Sequence, residues 1–200
     1  MKRNESNERA RGPDRADCKE NRSIELNRGL IAGAARWTVL LGCSLLLSPV
    51  WAETVAVGDV APDFERPLLT DDSSRLSLSD FRGRVVYLDF WASWCGPCLV
   101  AMPKIEGMKQ LFDQQEFAVL AVNVDRNPDR ALRFLNKLSV SYPSVYDQAS
   151  ELPKRYGLQA MPSSYVIDKT GKITLIHEGF RKGDEAALIS HIQKVLDHAP

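Results

Sequence analysis

The sequence predicts an α/β domain in which helices cover a sheet, and three observations carry that prediction. Two uninterrupted apolar runs, RVVYLDFWA (residues 84–92) and EFAVLAVNV (116–124), read as strands buried on both faces. Between them lies a stretch whose apolar residues recur at helical spacing. Near the C-terminus two further apolar runs meet at a polar, glycine-containing turn and give way to an amphipathic helix.

Taken in order, Val57 to Phe64 reads as an extended lead-in. ERPLL (65–69) and SRLSL (74–78) then form a hairpin-like pair around the polar turn Thr70 to Ser73. Ser79 to Gly83 reads as a single helical turn stopped by glycine, and the first buried strand follows. Leu99, Met102, Ile105, Met108 and Leu111, followed by Phe112, make a helical stripe from about Cys95 to Gln115, with Pro103 inside it expected to kink it. After the second buried strand, Asn127-Pro128-Asp129 opens a helix through Leu138. Tyr142 to Tyr146 is a short strand, and Glu151 to Tyr156 a short helix stopped by Gly157. SSYVID (163–168) and KITLIHEGF (172–180) are strands joined at Lys169 to Lys172. Glu185 to Leu196 closes the chain as a helix with Leu188, Ile192, Val195 and Leu196 inward.

The 200 residues are 44% apolar and 26% charged, a normal globular mixture, with 26 basic against 26 acidic side chains. That balance is uneven along the chain: residues 1–52 carry nine Lys and Arg against six acids, residues 53–200 carry 17 against 20. A mildly acidic body argues against nucleic acid as a partner.

Residues 1–28 are charge-dense and lack hydrophobic periodicity, so they are expected to be disordered. The apolar run Trp37 to Ala52 follows Arg28 and Arg36 and ends in Val50-Trp51-Ala52, which has the parts of a secretory signal cleaved after Ala52. Left uncleaved, the same segment is a membrane anchor, although its uninterrupted apolar part is shorter than the roughly 20 residues of a spanning helix. Leu40-Leu41-Gly42-Cys43 resembles a lipoprotein signal, but the apolar run continues past the cysteine. The polar extension before the signal is long, which suggests a translation start downstream of Met1. The expected organisation is therefore a leader over 1–52 and one domain over 53–200.

Cleavage there would remove Cys18 and Cys43 and leave Cys95 and Cys98 as the only cysteines. In an exported chain paired thiols tend to oxidise, and a single pair is chemistry rather than a scaffold. The thiolate is the active nucleophile in disulfide exchange, and an ordinary cysteine is mostly protonated at neutral pH. The start of a helix lowers that pKa, because unpaired N–H groups and the helix dipole favour negative charge. Pro97 suits such a first turn, where its missing N–H costs nothing. Cys95 is then the expected nucleophile and Cys98, one turn on, the resolving thiol. A C-x-x-C pair is also half a zinc site, but residues 53–200 add only His177, His191 and His198, and no metal is expected.

From about Val57 to Leu196 the chain resembles the TlpA/ResA-like branch of the thioredoxin superfamily, bacterial thiol-disulfide oxidoreductases of the extracytoplasmic space. The similarity rests on VGDVAPDF, LSLSDFRGRVVYLDFWASWCGPC, Met102-Pro103, LAVNVD, YGLQAMPSSYVIDKTGKI and Glu178-Gly179-Phe180, in that order. It implies a thioredoxin-like fold, a central mixed β-sheet flanked by helices, with an N-terminal β-hairpin and an inserted segment within Asn127 to Leu152. It also implies a cis peptide at Met161-Pro162, facing the cysteines and offering backbone to a substrate strand. Trp94, Gly96 and Pro97 belong to the same substrate-facing surface. Asp89 matches the family's buried carboxylate, the proton acceptor for the resolving thiol, and burial would raise its pKa toward neutrality. One departure is Ala101, where relatives serving cytochrome c maturation often carry Glu; this argues against that role.

The Gly-Pro dipeptide is that of thioredoxin, whose potential is about −270 mV, so the expected activity is reduction of chosen protein disulfides. Such a reductant needs a membrane thiol donor for its own re-reduction, and no cofactor. Two other readings stay open on the residues: a thiol peroxidase, which the family pattern would give a Thr at Ala92, and a copper chaperone using Cys95, Cys98 and His177.

Overall fold

The computed structural model describes residues 54–198. The leader, its cleavage point, Cys18 and Cys43 lie outside the described residues. The sheet-forming strands are β3 (Val85–Trp91), β4 (Phe117–Asn123), β5 (Ser144–Tyr146), β6 (Ser163–Ile167) and β7 (Ile173–Glu178), in the spatial order β5-β4-β3-β6-β7. β3, β4 and β5 run parallel, β6 pairs antiparallel with β3 and β7 antiparallel with β6, which makes the sheet mixed. Two short strands, β1 (Glu65–Pro67) and β2 (Arg75–Ser77), form the separate N-terminal hairpin. The helices are α1 (Gly96–Lys109), α2 (Pro128–Leu138), α3 (Leu152–Arg155) and α4 (Asp184–His198). None of them is long and apolar enough to cross a membrane.

The two central strands lack a polar alternation because both faces are covered. Along β3, Val85, Tyr87 and Trp91 face one core, together with Cys98, Met102 and Ile105 of α1 and Leu188 and Ile192 of α4. Val86, Leu88 and Phe90 face the other, with Phe64, Phe81, Leu152 and Tyr156. Every residue of β3 and β4 is buried, as the continuous apolar runs predict.

Local signals set the element ends. Asn127 caps α2 by accepting the Asp129 N–H at 2.9 Å, and Pro128 opens the helix where its missing N–H is harmless. Gly157, with φ +67°, stops the chain after α3. α2 and β5 fall within the segment expected to be inserted, and β5 extends the sheet beyond β4.

α1 departs from expectation at its C-terminal end. It stops at Lys109 rather than running to Gln115, and Leu111, placed on the buried stripe by its spacing, is 64% exposed. The chain tightens there, with Leu111 N–H donating to Met108 C=O and Phe112 N–H to Lys109 C=O. Asp113 then turns it toward β4, its side chain accepting from Gln115 N–H and its carbonyl from Glu116 and Phe117 N–H. The inward face is Cys98, Ala101, Met102, Ile105 and Met108, and the helix is continuous through Pro103.

Candidate active site

β3 delivers the chain to the site. After Trp91 it turns over four residues, closed by Cys95 N–H donating to Ala92 C=O at 3.0 Å, and α1 begins. Cys95 is the N-cap, extended at φ −88°, ψ 93°, and its sulfur accepts the Cys98 N–H at 3.3 Å. The cysteine sulfur thus does what a serine or aspartate oxygen does at other helix starts. Gly96 and Pro97 form the exposed first turn, and no acidic residue stands there to oppose a thiolate. Cys95 and Cys98 are joined as a disulfide, their Cα atoms 5.3 Å apart. Cys95 keeps 5% of its surface open to solvent and Cys98 none, so only the first sulfur can be met from outside.

Asp89 lies beneath this turn. Strand alternation puts its side chain on the face of Tyr87 and Trp91, the one that packs on Cys95, Cys98 and Met102. It is 1% exposed, and its Oδ2 has no hydrogen-bond partner. Burial alone pushes its pKa up to about 8. A carboxyl with such a pKa can exchange a proton near neutral pH.

The loop between β6 and the preceding helix completes the surface. The antiparallel register pairs Phe90 with Ser163, so the residues just before β6 lie beside those just after β3. These are Met161 and Pro162, joined by a cis peptide bond. Gly179 N–H donates to Pro162 C=O at 2.8 Å, fastening this loop to the end of β7. The N–H and C=O of Met161 make no hydrogen bond among the described residues. Trp94 is 63% exposed, and with Met161, Leu158, Arg126 and Arg130 it lines an open cleft of about 760 Å³.

Two features of the site escaped the sequence reading. Asp125, just past β4, is buried and accepts from Ser93 N–H and Ser93 Oγ–H, both at 2.8 Å, and from Asn123 Nδ2 at 2.8 Å. It holds the turn that carries Trp94 and Cys95. The available signal was its place after an apolar parallel strand, since ligand-facing loops gather at the C-terminal ends of such strands. The second feature is Gly179, whose φ of +80° lets the chain bend back to Pro162. His177 does not join the cysteines: its Nε2 lies 3.2 Å from Asp184 Oδ2. Among the described residues no group of three or more His, Cys, Asp or Glu side chains is arranged to hold a metal ion.

Residues 56–192 match the redoxin family. The chain belongs to that family. Within it, ResA thiol-disulfide oxidoreductase of Geobacillus thermodenitrificans is 36% identical over 126 residues, spanning 62% of this chain and 71% of the relative. ResA of Bacillus subtilis is 30% identical over 128 residues, spanning 64% and 70%. Among solved structures, a Chlorobium tepidum protein provisionally named thiol:disulfide interchange protein DsbE superposes with a TM-score of 0.68 at 40% identity, covering 72% of this chain and 99% of that one. A thiol-disulfide oxidoreductase from Bacteroides fragilis gives a TM-score of 0.57 at 27% identity, over 64% and 95%. This redoxin is therefore a TlpA/ResA-like, thioredoxin-fold thiol-disulfide oxidoreductase, built on a mixed five-stranded sheet with an N-terminal two-stranded hairpin.

Proposed function

We propose that the protein is an extracytoplasmic reductant of specific protein disulfides, with Cys95 as nucleophile, Cys98 as resolving thiol and Asp89 as proton acceptor. The observation that carries this reading is the asymmetry of the pair. One sulfur is reachable at a helix start and hydrogen-bonded to a backbone N–H, while the other is sealed on the side of a buried, partnerless carboxyl.

In the dithiol state the Cys95 thiolate attacks a substrate disulfide, forming a Cys95–substrate mixed disulfide and expelling the other substrate sulfur as a thiolate. Cys98 then gives its proton to Asp89 in its ionised form, the minor form below about pH 8, and attacks Cys95 Sγ, closing the Cys95–Cys98 bond and releasing the second substrate thiolate. Two electrons pass from the protein to the substrate, whose thiolates take up two protons. Met161 offers free backbone beside the sulfurs for an incoming strand, with Trp94, Gly96, Pro97 and Pro162 around it. Re-reduction calls for a dithiol donor, which for an exported protein is a membrane thiol donor.

The apolar run before residue 53 supports export, with periplasmic release after Ala52 and membrane anchorage as the alternative. Redox titration of the purified domain against glutathione tests the direction of electron flow. A reductant has a potential well below the roughly −180 mV of protein disulfide isomerase; a value above it would reverse the assignment.

A further inference from the structure

We propose that the cleft beside the dithiol accepts a polypeptide whose disulfide is flanked by acidic residues, held by the guanidinium groups of Arg126 and Arg130. The inference rests on the oxidoreductase reading and adds the chemical class of the substrate.

Trp94, which directly precedes Cys95 in the chain, and Met161 of the cis-proline loop line the cleft, and Arg126 and Arg130 line it as well, from the approach to α2 and its first turn. Both arginines are exposed, and neither forms an ion pair among the described residues. The one acid in the lining is Asp125, which is 2% exposed and has both oxygens committed to Ser93 and Asn123. What the cleft presents to a ligand is therefore positive charge, on a body that is acidic in balance. The N-terminus of α2 is not the source, because Asn127 already accepts the Asp129 N–H and Pro128 has none.

Guanidinium groups are planar forks that match a carboxylate with two parallel hydrogen bonds. In the same cleft, Trp94, Val124, Leu158 and Met161 supply an apolar wall for a neighbouring side chain. A strand paired on the free backbone of Met161 would lie with its disulfide at Cys95 and its flanking residues along this wall. Acidic residues there meet the arginines, whereas lysines are repelled.

The test compares three synthetic peptide disulfides identical except for flanking Asp, Ser or Lys residues, alongside neutral 2-hydroxyethyl disulfide as a reporter of the dithiol chemistry. In the wild type, kcat/KM should fall in the order Asp, Ser, Lys, with about tenfold between the extremes for two exposed charge pairs. The spread should shrink as ionic strength rises from about 0.01 M to about 1 M and the screening length falls from about 30 Å to about 3 Å. Arg126→Glu with Arg130→Glu should invert the order. Arg133→Glu, a single reversal of the same kind on α2 outside the cleft, should keep it. An order that is absent, or that survives the double reversal, while hydroxyethyl disulfide is still turned over would overturn the inference alone. Failure of the wild type to reduce hydroxyethyl disulfide would overturn the oxidoreductase reading and this one with it.

Discussion

Ser93 donates its backbone N–H and its hydroxyl to the two oxygens of Asp125, each at 2.8 Å, so the turn before the cysteines is held by a carboxylate from just past the end of the neighbouring strand. Removing that carboxylate leaves buried donors unpaired. Asp125→Ala should cost about 2–4 kcal/mol in urea denaturation, against about 1 kcal/mol for Ser93→Ala, which removes one bond. Asp125→Ala should also slow disulfide reduction, because Trp94 and Cys95 lose their fixed position. A stable and fully active Asp125→Ala protein would show that the turn holds itself.

Asp89 makes stability depend on pH in a defined direction. Its carboxyl is neutral in both folded and unfolded chains below about pH 4. As pH rises the unfolded chain releases that proton, whereas the folded one keeps it until the pKa of about 8. Folding is therefore penalised progressively between about pH 4 and pH 8, and by a constant amount above. Asp89→Asn removes the penalty, so its stability advantage over wild type should grow across that window and then level off, on the order of 6 kcal/mol at the plateau. Urea titrations at several pH values read this directly. An advantage independent of pH would mean that the carboxyl is not held neutral. The same variant should slow the resolving step, seen as mixed disulfide persisting after mixing.

The two sulfurs should behave differently when one is removed. Cys98→Ser leaves Cys95 able to attack but nothing to release the product, so a covalent complex with the substrate should accumulate on non-reducing gels. Cys95→Ser should give none, since Cys98 is fully buried. Equal trapping by both variants would contradict the assigned order.

Gly179 joins the end of β7 to Pro162 at a backbone φ of +80°. Nothing stands within 4 Å of where a Cβ would sit, so Gly179→Ala tests backbone strain alone. It should cost about 1–2 kcal/mol in urea denaturation. No measurable cost would show that the loop adjusts freely.

Much of this architecture could be read from the chain because its signals are local. The doubly buried strands β3 and β4 showed as unbroken apolar runs, and Asn127-Pro128-Asp129 marked the start of α2 at the right residue. The dithiol was legible for the same reason, since Cys95, Pro97 and Cys98 lie together after a strand. Leu111 misled because helical spacing continues for one position past the point where the backbone tightens toward Asp113. Asp125 stayed hidden because its role depends on a partner 32 residues away in sequence, brought close only by the parallel pairing of Trp91 with Asn123. The Met161-Pro162 cis bond was anticipated from family resemblance, whereas the burial of Asp89 also follows from its place between Leu88 and Phe90 in an unbroken apolar run.

The account turns on the ionisation of Cys95 in the reduced protein. Its rate of alkylation by iodoacetamide, followed across pH in a Cys98→Ser background, reports that pKa directly. A helix start whose first-turn N–H reaches the sulfur predicts a midpoint clearly below the ordinary cysteine value of about 8.5. A midpoint at or above that value would contradict the proposed chemistry, whatever the fold.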